Sequence, residues 1–220
     1  MAKKKESTLI NMLVALFVIT AVSGGVLGLV YSLTKDSIAK VELDKTQRAI
    51  DSVLVTDKPI AKYEERVIDN LTYNLAYDDQ DQLIGAAIKT YSNAGFNGKV
   101  ELMVGILADG TINKVSVLSQ NETPGLGANM DKPKFKNQFK GKNPASYKLF
   151  VKKDQGDVDA ITAATISSRA FTEALRLAYD GFMANKAEFM NNTPIEDETP
   201  VEEEVPVEEN NEMEGGQDNE

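Results

Sequence analysis

The sequence predicts an α+β protein: one N-terminal transmembrane helix, a domain of antiparallel hairpins with flanking helices, and a disordered acidic C-terminal tail. Three observations predict it. Residues 7–34 carry no charge and are numerous enough to cross a bilayer. Between residues 71 and 119 the apolar period changes from helical to two. Residues 193–220 hold 12 acidic side chains, three prolines and no aromatic residue, too little apolar surface to offset the entropy of ordering. These divide the 220 residues into an N-terminus at 1–8, a span at 9–33, a helical connector at 34–70, a folded domain at 71–192 and the tail at 193–220.

The span reads LINMLVALFVITAVSGGVLGLVYSL from residue 9 to 33, and its small residues Gly24, Gly25 and Gly28 permit close helix packing. Ala21-Val22-Ser23 also resembles the cleavage site of a signal peptide, but the apolar run continues to Leu33, well past an h-region of about 7–15 residues. Lys3, Lys4 and Lys5 precede it, which places the N-terminus in the cytoplasm and the rest of the chain outside. After it, Ile38, Val41, Ala49 and Val53 keep helical spacing, so the span is expected to run on into an amphipathic helix. Residues 71–78 and 83–92 flank a polar turn, and residues 99–107 and 111–119 flank Ala108-Asp109-Gly110, a strong hairpin signal. YKLFVKK at 147–153 is a further strand candidate. From Thr165 to Met190 the stripe of Ala170, Leu175, Leu177, Ala178, Phe182 and Phe189 predicts a helix.

Composition narrows the chemistry. The chain has no Cys and no His, which excludes thiolate-held iron-sulfur clusters, imidazole-held haem, His/Cys zinc sites and His-dependent nucleophilic catalysis. The net charge of −10 is a property of the tail, because removing its 12 acids leaves 24 basic against 22 acidic side chains and no basic face for nucleic acid. No G-x-G-x-x-G or P-loop fingerprint appears, so redox chemistry would have to rest on an organic cofactor other than a directly bound dinucleotide.

Two segments carry chemical signals. Glu122-Thr123-Pro124-Gly125-Leu126-Gly127 reads either as a plain type II turn centred on Pro124-Gly125 or as a loop bringing backbone N–H groups to a ligand, with Glu122 and Thr123 as polar handles. Residues 156–170, GDVDAITAATISSRA, mark a helix start, where Thr162 or Thr165 would serve either as a simple cap or as part of a phosphate seat.

The run Asp159-Ala160-Ile161-Thr162-Ala163-Ala164-Thr165 is similar to the D-x-x-S/T-G-A-T flavinylation motif of the FMN-binding domain family, and the loop at 122–127 resembles a second hallmark of it. Together, behind one span, they resemble the G-subunit family of Rnf (Rsx) ion-translocating electron transport complexes over roughly residues 7–190. The resemblance implies FMN joined through a phosphoester to Thr165 by a separate flavin transferase. It places Thr162, Ala163 and Ala164 around the phosphate and Glu122, Thr123, Gly125, Leu126 and Gly127 near the flavin. Gly95, Phe96 and Gly98 form a second candidate loop. Asp159 would orient Thr165 or bind the transferase's metal, or act only as a cap. No metal site and no catalytic residue of the chain's own are implied. Implied partners are the membrane and iron-sulfur subunits of a ferredoxin:NAD oxidoreductase coupled to Na+ or H+ translocation in the inner membrane, with the FMN domain on the extracytoplasmic side. Ala163 departs from the motif, which has Gly there. The alternatives are the FMN-bearing C-type component of the sodium-pumping NADH:quinone oxidoreductase and a non-redox membrane-tethered binding module.

Overall fold

The computed structural model describes residues 8–56 and 58–191. The basic N-terminal residues and the acidic tail, and the expectations for both, lie outside the described residues. Helix α1, Leu9–Val53, is continuous from the apolar run into the domain and measures roughly 70 Å at 1.5 Å per residue. Its apolar portion is fully exposed in the isolated chain and is long and apolar enough to cross a membrane. The last turns are the amphipathic part, with Ala49, Ile50 and Val53 buried against the sheet. Ile38 and Val41, expected on the same stripe, stay exposed because the sheet is not reached until further along the helix.

Five strands, β1 (Lys62–Ile68), β2 (Leu71–Tyr77), β3 (Leu83–Gly95), β4 (Gly98–Leu107) and β5 (Ile112–Ser119), pair in sequence order as an antiparallel meander. Both hairpins expected from the alternation form, and β3 joins β4 through the turn at Gly95–Gly98, where Gly98 has φ +104°. One expectation is corrected: the helical connector stops at Val53, and residues 62–68 are an edge strand. Asp69 and Asn70, both at positive φ, make the two-residue turn into β2. The alternation of β1 is masked because its buried residue is Arg66, which pairs with Glu64 and with Glu188 near the end of α3.

One face of the sheet packs on α3 (Thr165–Asn191) through Leu175, Ala178, Phe182 and Phe189 against Tyr73, Tyr77, Ile88 and Val104. Leu177, expected in that stripe, is exposed. The other face receives the end of α1 on Ala76, Ile84, Ala87, Met103 and Leu118. Gly105 permits this approach, since a Cβ there would lie 2.2 Å from the Val53 carbonyl oxygen. Asn113 then closes the helix end, its amide donating to the carbonyls of Val53 and Val55 at 2.8 and 2.9 Å.

Between β5 and α3 the chain forms a 3-10 turn at Gly127–Asp131, the short helix α2 (Pro133–Lys136) and a compact loop. Phe135, Phe139 and Phe171 pack with ring centroids 5.1–5.6 Å apart and fix that segment over the start of α3. The expected strand at 147–153 is also corrected. Leu149 and Val151 are buried, which produces the alternation, but the segment contributes one bridge, Val151 to Val158, and a 3-10 turn at Lys152–Asp154. Its backbone is spent locally: the Lys148 N–H donates to Asp157 Oδ2 at 2.7 Å, and Gln155 reverses the chain at φ +61°.

Candidate functional site

At the start of α3 the residue before the first helical position is Ala164, whose side chain carries no acceptor. The first intrahelical bond runs from Ser168 N–H to the Ala164 carbonyl, leaving the amides of Thr165, Ile166 and Ser167 without an acceptor among the described residues. The expected cap by Thr162 or Thr165 is therefore not made. A serine further along organises the approach instead: Ser168 Oγ accepts the Ile161 N–H at 2.9 Å and donates to the Ala164 carbonyl at 2.9 Å. Between them Ile161–Ala164 form a turn closed by Ala164 N–H to Ile161 O at 2.9 Å, with Ala163 at φ +59°. Upstream, the Gln138 amide holds both backbone groups of Asp159, at 2.9 and 3.3 Å.

The start of α3 borders a cavity of about 310 Å³ lined by Phe96, Glu122, Thr123, Leu126, Gly127 and residues 163–167. Two loops form the wall opposite α3. In the first, Leu126 N–H donates to Thr123 O with Gly125 at φ +81°, the turn expected from Pro124-Gly125. In the second, the turn between β3 and β4 presents Phe96, which is 66% exposed. Glu122, only 6% exposed, ties both loops to the helix: one carboxylate oxygen accepts from Ser167 Oγ at 2.8 Å and the other from the Asn97 N–H at 3.3 Å. Gly95 and Gly127 leave the space for that carboxylate, since a Cβ on either would lie within 2.8 Å of it. Asn97 Nδ2 also donates to Thr123 Oγ1 at 3.3 Å.

The structure therefore gathers Thr165, Ala163, Ala164, Glu122, Thr123, Leu126, Gly127 and Phe96 around one hollow. Gly95, Gly98 and Gly125 shape its loops without lining it. Two expected residues are elsewhere. Asp159 is exposed, pairs with Lys152 at 2.7 Å and is not among the lining residues, and Thr162 is likewise exposed outside the lining. Sequence reasoning missed Asn97, Gln138, Ser167 and Ser168 as organising groups, and Lys153, whose Nζ lies 3.4 Å from Thr165 Oγ1. The adjacent Ser167-Ser168 pair was the available signal for two of them.

A larger hollow, about 490 Å³, lies between α1 and β5, lined by Val41, Lys45, Arg48, Ser52, Ser116 and neighbours. It has none of the unpartnered helix-start donors, so size alone does not make it the chemical site. Both hollows face the same end of the sheet. Lys45 Nζ donates to the Leu118 carbonyl while Val53 meets Gly105, so α1 runs toward its apolar portion past the end of β5 that leads into Glu122. Thr165 and its cavity are thus at the end of the domain from which the membrane helix departs.

An anion-ready helix start beneath an apolar rim is the arrangement of a phosphate-bearing aromatic cofactor site. The FMN-binding domain family matches residues 95–180, the stretch from the Phe96 turn through the Glu122 loop into α3. The chain is 31% identical over 186 residues to the G subunit of the ion-translocating oxidoreductase complex of Methanosarcina acetivorans, covering 82% of this chain and 96% of that protein. It is 32% identical to the G subunit of the proton-translocating ferredoxin:NAD(+) oxidoreductase complex of Clostridium ljungdahlii, covering 82% and 95%. The chain belongs to this family, the G subunits of Rnf (Rsx) ion-translocating oxidoreductase complexes. The crystal structure of the C-type component of the Na(+)-translocating NADH-quinone reductase from Parabacteroides distasonis superposes with a TM-score of 0.51 at 21% identity, covering 72% of this chain and 98% of that one, which shows a shared fold.

Proposed function

We propose that this protein is a membrane-anchored flavoprotein subunit that carries FMN on Thr165 and relays electrons inside a ferredoxin:NAD oxidoreductase complex coupled to Na+ or H+ translocation. The observation that carries this reading is the position of Thr165, the first residue of α3, half-buried on the wall of a cavity with an apolar rim, where the amides of residues 165–167 have no acceptor among the described residues. The donor set fits FMN: an anion accepts from the N–H groups of Thr165, Ile166 and Ser167, while Phe96, Leu126 and Ile166 offer apolar surface to a flat ring. Bound FMN supplies one- and two-electron transfer, and the protein's part is to hold and orient it.

The chain's residues divide that work. Glu122 fixes the two loops against Ser167, and Ser168 holds the turn that presents Thr165. A threonine hydroxyl is a weak nucleophile, and no histidine exists in the chain to activate it. A separate flavin transferase providing metal and base therefore makes the phosphoester: the Thr165 Oγ1–P bond forms as a P–O bond of an activated flavin phosphate donor breaks, the leaving phosphate group departs with the metal's help, and the hydroxyl proton passes to that enzyme's base. Partners are the membrane and iron-sulfur subunits of the complex, and the domain faces the extracytoplasmic side, where a covalent bond prevents cofactor loss. Catalysis is a property of the assembly.

The test is intact-mass analysis of the full chain purified from membranes containing the transferase, with in-gel flavin fluorescence under denaturing conditions. The expected increment is one FMN less one water on the Thr165 peptide, and Thr165→Ala should abolish it while the domain remains folded. Covalent flavin retained in that variant would remove Thr165 from the reading; an unmodified, colourless wild-type chain would favour the non-redox module.

A further inference from the structure

The loop at 152–154 is tied by ion pairs to Asp159 on the approach to α3 and to Arg169 within α3, and one of its cations takes part in neither. Lys152 reaches back to Asp159 at 2.7 Å. Asp154 takes the fork of Arg169, one turn into α3, at 2.7 and 2.8 Å. Lys153, between them, forms no ion pair among the described residues; the nearby carboxylate whose field it feels is Asp154, already occupied by Arg169. Its ammonium instead points at the neutral hydroxyl of Thr165, 3.4 Å away. That spacing is at the outer edge of hydrogen bonding, so the contact leaves room for a larger acceptor grafted onto the same oxygen. The amides of Thr165, Ile166 and Ser167, residues of the same cavity wall, have no acceptor among the described residues. The Glu122 carboxylate on the same cavity wall is engaged by Ser167 Oγ and the Asn97 N–H, so the Lys153 ammonium and the helix-start amides remain for an added anion, and a phosphodiester is a permanent single negative charge.

The geometry points to Lys153 as the positioning residue for the phosphate at Thr165: its ammonium donates to the Thr165 oxygen before attachment and to the phosphodiester afterwards, with the Arg169–Asp154 pair holding the loop that carries it. This rests on the reading of Thr165 as the flavin site. Because the lysine donates into a lone pair of Oγ1, the hydroxyl hydrogen is turned away from it and stays available to an external base. The bond made and the proton lost are unchanged; Lys153 supplies charge and orientation.

The experiment measures the rate of covalent flavin incorporation into the detergent-solubilised full chain with purified transferase and its flavin substrate, for wild type, Lys153→Met, Lys153→Arg and the control Lys148→Met, a lysine outside the cavity. Loss of one charge-assisted hydrogen bond predicts a rate about tenfold lower in Lys153→Met, recovery of most of it in Lys153→Arg, and no change in the control. A phosphorus-31 spectrum of the loaded protein should show the phosphodiester resonance displaced in Lys153→Met and unmoved in Lys148→Met. Wild-type rates and an unmoved resonance in Lys153→Met would overturn the assignment, as would an Arg variant no better than Met. A wild-type chain that takes up no flavin at Thr165 would instead overturn the underlying reading, so the two failures are distinguishable.

Discussion

Ala163 occupies the third position of the Ile161–Ala164 turn at φ +59°, where glycine is strain-free and an L-residue with a Cβ costs about 1–2 kcal/mol. The neighbouring loop meets the same demand at Gly125, φ +81°, with glycine. The substitution is thus tolerated at a cost, and its methyl lies on the wall of the cavity. Replacing Ala163 with Gly should raise the stability of the full chain by about 1 kcal/mol, read as a higher denaturant midpoint with an unchanged slope. It should also speed flavin incorporation; a lowered midpoint would show that Ala163 is not strained. At this scale the sequence exposed Thr165, Glu122 and the Pro124-Gly125 turn, because hydroxyl clusters and glycine loops are local signals. It did not expose Lys153 or Gln138, whose proximity to the motif comes only from how the loop between α2 and α3 closes, nor the diversion of Asp159 to Lys152.

Among the elements, the most constrained contact is the docking of the end of α1 on β4. A side chain at Gly105 would meet the backbone oxygen of Val53 at 2.2 Å, and backbone cannot step aside as a flexible side chain would. Gly105→Ala should therefore destabilise the domain by roughly 1–3 kcal/mol, the range for overpacking. The loss should concentrate in faster amide exchange at residues 49–54. Exchange unchanged there would mean that α1 is held by Asn113 and the apolar cluster alone. Strands β2 to β5 were legible because each alternates around apolar residues, and α3 because its period is clear. Strand β1 was hidden by a buried arginine, and residues 147–153 were misread because two inward residues imitate a strand while their amides bond within the loop.

For the whole molecule, what matters is that one helix serves as both anchor and structural element. Because α1 is unbroken from Leu9 to Val53, the domain is held to the membrane by a rod, with about a dozen residues between Leu33 and its first contact at Lys45. At 1.5 Å per residue that sets the sheet roughly 18 Å from the end of the apolar run. The cavity with Thr165 lies at the end of the sheet facing that gap, which under the proposed function is where its flavin would meet a membrane-embedded partner. A seven-residue helical insertion between Asp36 and Lys40 would lift the site by about 10 Å while turning it by nearly two full turns, so the docked face keeps its orientation. If the proposed function holds, such a chain in the assembled complex should carry as much covalent flavin as wild type, since the attachment site on the domain is unchanged, yet its flavin should be reduced more slowly by the upstream subunits. Stopped-flow absorbance of the flavin in purified complex separates the two. An unchanged reduction rate would mean that the donor approaches from another side of the domain, and that the rod serves attachment alone.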